Sequence, residues 1–91
     1  MNTLNFKSLA KKITFSSDTM WVELTDGRSL GVPLVYFPKL NYATEEQLNN
    51  YIISGGGIGL HWENLDEDIS VEGLLLGIGD RTQKQKELVY A

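Results

Sequence analysis

The stretch ITFSSDTMWVELTDGRSLGVP, from Ile13 to Pro33, decides how this chain begins to fold. Apolar and polar residues alternate through three short runs, and the runs are separated by Ser17-Asp18 and by Thr25-Asp26-Gly27. Alternation with a period of two is typical of half-buried β-strands, and Ser, Asp and Gly are typical of the turns between them. The stretch therefore predicts three consecutive antiparallel strands.

The register of the second hairpin follows from the requirement that apolar residues share one face. A two-residue turn at Asp26-Gly27 would place Leu30 opposite Glu23 and misalign the faces. A three-residue loop that begins one residue earlier, with Gly27 at positive φ, places Leu30 opposite Val22 instead. We therefore predict an antiparallel meander with a single apolar face, formed by Phe15, Met20, Val22, Leu24, Leu30 and Val32.

The same register sets Trp21 apart from the apolar face. A two-residue loop at Ser17-Asp18 pairs Phe15 with Met20, so Trp21 lies on the opposite side, beside Glu23. An indole there is either covered by another element, which is the commoner outcome, or available to a partner.

The second half of the chain predicts short helices and one more hairpin. Thr44 followed by Gln47 is a capping-box pattern, so a helix is expected to begin there and to run to about Asn50. Residues 51–53 and 58–62 predict two short strands joined by a glycine turn, and the apolar segment from Ile69 to Leu76 predicts a last helix.

These elements place the chain in the α+β class. We expect an N-terminal three-stranded antiparallel β-meander followed by short helices and a short additional strand or hairpin. Residues 1–80 are expected to form a single small α+β domain, and the polar C-terminal tail, residues 81–91, is expected to be frayed.

Composition narrows the class of protein. The 91 residues, 42% of them hydrophobic and 10% aromatic, suit one small folded domain, which self-association as a homo-oligomer would help to stabilise. The absence of cysteine excludes disulfides, thiolate metal sites and cysteine nucleophiles. Because no apolar run has the length of a signal peptide or a membrane span, we expect no membrane association and a cytoplasmic location.

Charge is distributed unevenly along the chain. Residues 40–80 carry eight acids and no Lys or Arg, whereas residues 1–39 and 81–91 each carry an excess of two bases. Such a segment presents a negative field that attracts basic partners and repels phosphates, although solubility alone is the simpler explanation. The only basic cluster is Lys7, Lys11 and Lys12, and no helix-turn-helix is recognisable, so we do not expect the chain alone to bind nucleic acid.

The acidic segment contains HWENLDEDIS, residues 61–70, which sets the single histidine beside four carboxylates. A zincin needs a second histidine, a zinc deaminase needs cysteines, and three consecutive acids splay around the backbone instead of converging on a cation. The run GGGIG is not followed by Lys-Ser or Lys-Thr, so it does not predict a phosphate-binding loop. We therefore expect a non-enzymatic protein with no catalytic residues, no metal and no cofactor.

Two interpretations of this stretch remain open. In the structural one, Asp66 or Asp68 caps the last helix, where carboxylates favour the positive end of the dipole, and Trp62 anchors the loop by burial. In the functional one, the carboxylates that are left over lie beside an amphipathic Trp and contact basic side chains of a partner. The residues predicted to bind a partner are His61, Trp62, Glu63, Asp66, Glu67 and Asp68.

Four patterns in the chain together resemble the domain-of-unknown-function 2442 family of prokaryotes: L-x-DGR, VPL-x-x-FP-x-L, AT-x-EQ and ISGGG-x-GLHWENLDEDISVEGLL. The resemblance covers about Ile13 to Gly79 and implies a small α+β domain that begins with a β-meander. Members of the family are often encoded next to a second small protein in an arrangement that looks like a toxin–antitoxin pair, so the resemblance implies an antitoxin-like role. In other members the domain precedes a helix-turn-helix.

Two functions follow from these observations. The first is a non-enzymatic, antitoxin-like protein-interaction module that binds a small basic partner protein, a cognate toxin, through an acidic surface. The alternative is an accessory domain of a transcriptional regulator that acts as an oligomer. A neighbouring gene for a small basic protein would favour the first function, and salt-sensitive operator binding by the isolated chain would favour the second.

Overall fold

A computed structural model of the protein describes residues 8–77. Within them the chain forms two three-stranded antiparallel sheets, with strand orders β1-β2-β3 and β4-β5-β6, and three short helices. The α+β class is confirmed, whereas the expected C-terminal tail, residues 81–91, lies outside the described residues. The elements in order are β1 (Ala10–Ser16), β2 (Thr19–Leu24), β3 (Ser29–Pro33), a 3-10 turn (Leu34–Tyr36), α1 (Pro38–Asn41), α2 (Glu45–Leu48), β4 (Tyr51–Ser54), β5 (Gly59–Trp62), β6 (Glu67–Ser70) and α3 (Val71–Leu75).

The register predicted for the meander is confirmed. Phe15 pairs with Met20, and Val22 pairs with Leu30. Gly27 has a φ of 97°, as the three-residue loop requires, since that φ is one that side chains disfavour. The pairing puts the alternating apolar residues on one face, where Met20 and Val22 have no exposed surface and Phe15 and Leu30 are half-buried.

Trp21 is partly covered by its own sheet. Its ring lies across Gly31 on the neighbouring strand, and a Cβ atom on Gly31 would come within 2.8 Å of the ring. The indole nevertheless keeps 40% of its surface exposed. A glycine on the outer face of β3 therefore provides the space that a large side chain on β2 occupies.

One hydrophobic cluster contains residues from both sheets. Ile13 and Val22 from the meander belong to the same cluster as Leu60 and Trp62 from the second sheet. Leu40 of α1 is also a member. The sheets are also linked by polar contacts from Tyr51, whose hydroxyl donates to the Ile13 carbonyl at 3.1 Å and accepts from the Ile13 amide at 3.3 Å. This hydroxyl satisfies backbone groups at the sheet junction that would otherwise need another strand.

Helix α2 has the predicted start and an earlier end. The Thr44 side chain accepts from the Gln47 amide, and the Gln47 side chain accepts from the Thr44 amide, so the capping box is present. The helix ends at Leu48 and not near Asn50, because β4 begins at Tyr51 and the chain needs residues 49 and 50 to change direction.

The predicted hairpin at residues 51–62 is present, and a third strand follows it. β6 pairs with β5, although its sequence begins with acidic residues that are depleted in strands. The expected capping of the last helix by Asp66 or Asp68 is wrong: Ser70 is the N-cap, and its side chain accepts from the Gly73 amide at 3.1 Å. The carboxylates lie too early in the chain to cap α3, because four residues from Glu67 extend the sheet first. No helix within residues 8–77 is long and apolar enough to span a membrane.

Candidate functional site

The pairing of β5 with β6 divides the predicted partner-binding residues between two faces. His61 lies opposite Asp68, and Trp62 lies opposite Glu67. Because successive side chains of a strand point to opposite faces, each pair shares a side of the sheet. The side chains of Trp62 and Glu67 are 1% and 14% exposed, whereas that of Asp68 is 79% exposed. His61 and Asp68 therefore belong to the outer face, and Trp62 and Glu67 belong to the inner one.

His61 is held between two carboxylates on the outer face. Its Nδ1 is 2.5 Å from Asp68 Oδ1, and its Nε2 is 2.9 Å from Glu63 Oε1. The hydrogen bond to Glu63, followed by that to Asp68, raises the pKa of His61, and partial burial of the ring opposes this only in part. A neutral imidazole has one N–H, so hydrogen bonds from both ring nitrogens to carboxylates require the imidazolium.

Trp62, although predicted to contact a partner, lies in the core. Its Nε1 donates to the Leu48 carbonyl at 2.9 Å, and its ring centroid is 6.4 Å from that of Tyr51. The structural interpretation, in which Trp62 anchors the loop by burial, describes its position. An indole that is 1% exposed has no surface left for a partner in this conformation.

Asp66 and Glu67 are approached by a lysine from outside the acidic segment. The Lys39 ammonium donates to the Asp66 carbonyl at 2.9 Å and lies 3.9 Å from Glu67 Oε1. Asp66 itself adopts a φ of 53° in the turn between β5 and β6, and its side chain faces solvent. Four of the six predicted residues thus remain at the surface, and we call them the acidic face: His61, Glu63, Asp66 and Asp68.

No group of three or more His, Asp or Glu side chains that could hold a metal ion is present within residues 8–77. On the acidic face, each nitrogen of His61 already faces a carboxylate oxygen. What the arrangement offers chemically is a set of exposed carboxylate acceptors, Glu63 and Asp68 at 79% side-chain exposure each, suited to cationic groups.

A groove, which the sequence did not indicate, adjoins the acidic face on the same side of the sheet. Its lining includes the cross-strand row Ser54, Gly59 and Ser70, which we take as its floor. Asp68, one position along β6 from the buried Ile69, also lines the groove, and we take it as part of the rim. We call this feature the outer groove; its volume is about 720 Å³. The signal that could have revealed it is the alternation in β6, where Asp68 and Ser70 face outward, but using that signal requires recognising β6 as a strand.

Two solved structures share this fold. A protein of unknown function from Rhodospirillum rubrum is 35% identical, with a TM-score of 0.74 over 82% of this chain and 93% of its own. An uncharacterised protein from Chromobacterium violaceum, solved by NMR, is 27% identical, with a TM-score of 0.72 over 87% of this chain and 74% of its own. No curated protein matches the sequence significantly.

The family comparison agrees with these structural relatives. The family described as "Protein of unknown function (DUF2442)" matches residues 10–80, which include both sheets and all three helices. That range also contains the HWENLDEDIS stretch and the acidic face built from it. Because the match spans most of the chain and the Rhodospirillum rubrum relative is 35% identical over nearly its whole length, this chain belongs to the domain-of-unknown-function 2442 family.

Proposed function

We propose that this protein is a non-enzymatic, antitoxin-like interaction module that binds a small basic protein through the acidic face. The observation that carries the proposal is the exposure of Glu63 and Asp68, each 79% exposed and held on either side of His61. Carboxylates that are ordered before binding lose little conformational freedom when they meet a cationic side chain. The toxin–antitoxin arrangement implied by the family resemblance supports the same kind of partner.

The balance of charge in the described residues also supports a basic partner. Residues 8–77 contain ten acids and four Lys or Arg residues. Two of these four bases are engaged, since Arg28 pairs with Asp26 at 2.8 Å and Lys39 contacts the β5–β6 turn. The remaining two, Lys11 and Lys12, lie on β1 in the other sheet. The acidic face therefore has a field that a basic partner would neutralise.

The test uses the immobilised full-length protein to capture partners from a lysate of its host, followed by kinetics with the purified partner. We expect a basic protein to bind, with an association rate that falls about tenfold or more as salt rises. The variant Glu63→Lys with Asp66→Asn removes three units of negative charge from the acidic face. It should slow association strongly and change dissociation little, because exposed charges act mainly on the encounter.

The control variant is Asp18→Lys with Glu23→Gln, which changes the charge by the same amount within the first sheet. It should leave association nearly unchanged. Circular dichroism confirms that both variants fold. If the two variants slow association equally, the effect comes from net charge and not from the acidic face. If the Glu63 and Asp66 variant has no effect, the acidic face does not take part in binding.

A further inference from the structure

We propose that the outer groove receives an apolar side chain of the basic partner, from a segment in which that side chain is flanked by Lys or Arg. This inference rests on the proposed function and adds to it the chemistry of the segment that binds. It depends on three properties of the groove: a floor of small residues, apolar walls and an acidic rim.

The floor is open because three neighbouring strands each contribute a small residue. Ser54, Gly59 and Ser70 lie side by side across β4, β5 and β6. A Cβ atom on Gly59 would come within 2.7 Å of Ser54 Oγ, so a larger residue at that position would displace the serine. The row leaves a depression where the outer face of a sheet ordinarily carries side chains.

The walls are apolar and partly exposed to solvent. Ile58 is 56% exposed and Leu75 is 37% exposed, and both line the groove together with the half-buried Leu9. Exposed aliphatic side chains around a depression of about 720 Å³ match the size and lining of sites that bury a ligand group. The contact with the partner therefore includes burial of apolar surface as well as charge.

The rim selects the sign of the occupant's charge. Asp68 and Glu72 line the groove, and its described lining contains no Lys, Arg or His. Asp68 and Glu63 together carry two negative charges against the single positive charge of the His61 imidazolium between them, so this end of the groove stays negative. An apolar side chain flanked by acids would meet like charges here, whereas one flanked by Lys or Arg would place its cations against the rim.

The dimensions of an extended chain fit this arrangement. Residues two apart in a strand lie about 7 Å apart on the same side, so a Leu that enters the groove leaves neighbouring Lys side chains able to reach its edges. Long Lys and Arg stems also cover apolar surface while their charged ends remain in water. A basic segment with one central apolar residue can therefore contact the apolar walls and the acidic rim at the same time.

The test measures fluorescence anisotropy of three labelled heptapeptides with the full-length protein. The first alternates Lys and Ser around a central Leu, the second has Ser in place of the Leu, and the third has Glu in place of each Lys. We expect the first peptide to bind at least about tenfold more tightly than the second, because only the first buries an apolar side chain. The third should not bind measurably.

Two matched variants then locate the binding. Ser54→Phe places a ring over the row of small residues in the outer groove, whereas Ile52→Phe adds a ring on the same strand and face but outside the groove lining. Ser54→Phe should weaken binding of the first peptide about tenfold or more and leave the second peptide unchanged. Ile52→Phe should change the binding of neither peptide. Circular dichroism confirms that both variants fold.

The contrary outcomes separate this inference from the proposed function. The first two peptides could bind equally, with affinities that depend on salt and do not change in Ser54→Phe. That result would overturn the inference that the groove binds an apolar side chain, and the acidic face would remain as the binding surface. No binding by either basic peptide would count against both. A concentration-dependent dimer of the protein that Ser54→Phe dissociates would assign the groove to a second copy of the chain and overturn the inference.

Discussion

The indole of Trp62 has a structural task that a smaller aromatic residue cannot perform. Its Nε1 donates to the Leu48 carbonyl at 2.9 Å, linking β5 to the end of α2 across the core. Phenylalanine would keep most of the apolar surface but leave the buried carbonyl without this donor. The inward position of Trp62, next to His61 on the outer face, follows from strand alternation.

We therefore expect Trp62→Phe to lower the free energy of unfolding by about 1–3 kcal/mol, from the lost hydrogen bond and poorer packing. Urea denaturation followed by circular dichroism measures the change. Trp21→Phe is the matched control because Trp21 is 40% exposed, and it should cost less than about 1 kcal/mol. Equal losses at the two positions would mean that the Leu48 hydrogen bond contributes nothing.

His61 links stability to pH through its two carboxylate partners. Their hydrogen bonds raise its pKa above the ordinary value of about 6.5. A folded-state pKa above the unfolded one means that folding favours the protonated form. The stabilisation is then fully present below about pH 6.5 and is lost as the pH rises through the higher folded-state pKa. The pKa of Asp26 is lowered mainly by Arg28 and then by Ser8. This carboxylate therefore remains charged throughout this pH range and does not contribute to the change of stability with pH.

We expect the wild-type protein to lose stability relative to His61→Gln as the pH is raised from about 5.5 to about 8.5. Gln keeps a polar side chain at this position but does not titrate, so the difference between the two proteins isolates the histidine. Urea denaturation at several pH values gives this difference. A difference that is constant with pH would show that the hydrogen bonds of His61 do not favour its charged form.

The first sheet was predictable from sequence because its turns and its apolar pattern agree. Only one register for the second hairpin puts Val22 and Leu30 on the same face, and it requires Gly27 at positive φ; both features are present. β6 was not predictable in the same way. Asp and Glu are poor strand formers, and what makes Glu67–Ser70 a strand is pairing with β5 and burial of Ile69, which are tertiary effects.

Because β6 was not predicted from the sequence, the candidate site could be predicted only in part. Composition and spacing indicated the stretch that forms the acidic face, since His61, Glu63, Asp66 and Asp68 lie together at the surface. Without the β5–β6 register, nothing separated the outward residues from the inward Trp62 and Glu67. The outer groove was missed for the same reason, since its floor exists only when three strands are aligned.

The glycine turn between β4 and β5 has positions of unequal importance. Gly57 has a φ of 117°, and a Cβ atom there would come within 2.6 Å of the Leu9 Cβ and 2.8 Å of the Ala10 carbonyl oxygen. Its carbonyl also accepts from the Ala10 amide at 2.8 Å, which ties the turn to β1. Gly56 has a φ of 70° but no atom within 4 Å of the corresponding position.

Gly57→Ala should therefore cost about 2–4 kcal/mol, from backbone strain together with a clash against main-chain atoms. Gly56→Ala should cost only about 1–2 kcal/mol, which is the penalty of the left-handed backbone alone. Thermal denaturation of the two variants gives the comparison. If their midpoints fall equally, the contact of the turn with β1 does not contribute to stability.

At the scale of the whole molecule, the charge that attracts a basic partner also opposes folding. The ten acids and four Lys or Arg residues of residues 8–77 leave a formal net charge of −6, or −5 when His61 is protonated, with Glu63, Asp66 and Asp68 close together at the surface. Bringing like charges together in a compact state costs free energy that the unfolded chain avoids. A binding surface of this kind therefore lowers the stability of the free protein, and a partner would restore it.

We expect the thermal midpoint of the free protein to rise by about 2–6 °C between about 20 mM and about 300 mM NaCl, because salt screens the repulsion among exposed acids. Asp66→Asn should raise the midpoint at low salt and reduce its dependence on salt, since it removes a negative charge from the acidic face, keeps both hydrogen bonds of His61 and suits the positive φ of this position. Asp18→Asn changes the net charge equally but lies in the β1–β2 turn, within a sheet that also carries Lys11 and Lys12. The Asp18 variant should retain most of the salt dependence of the midpoint. A midpoint that falls with salt in the wild-type protein would mean that ion pairs such as Arg28–Asp26 outweigh the repulsion, and the acidic face would then have no measurable cost to folding.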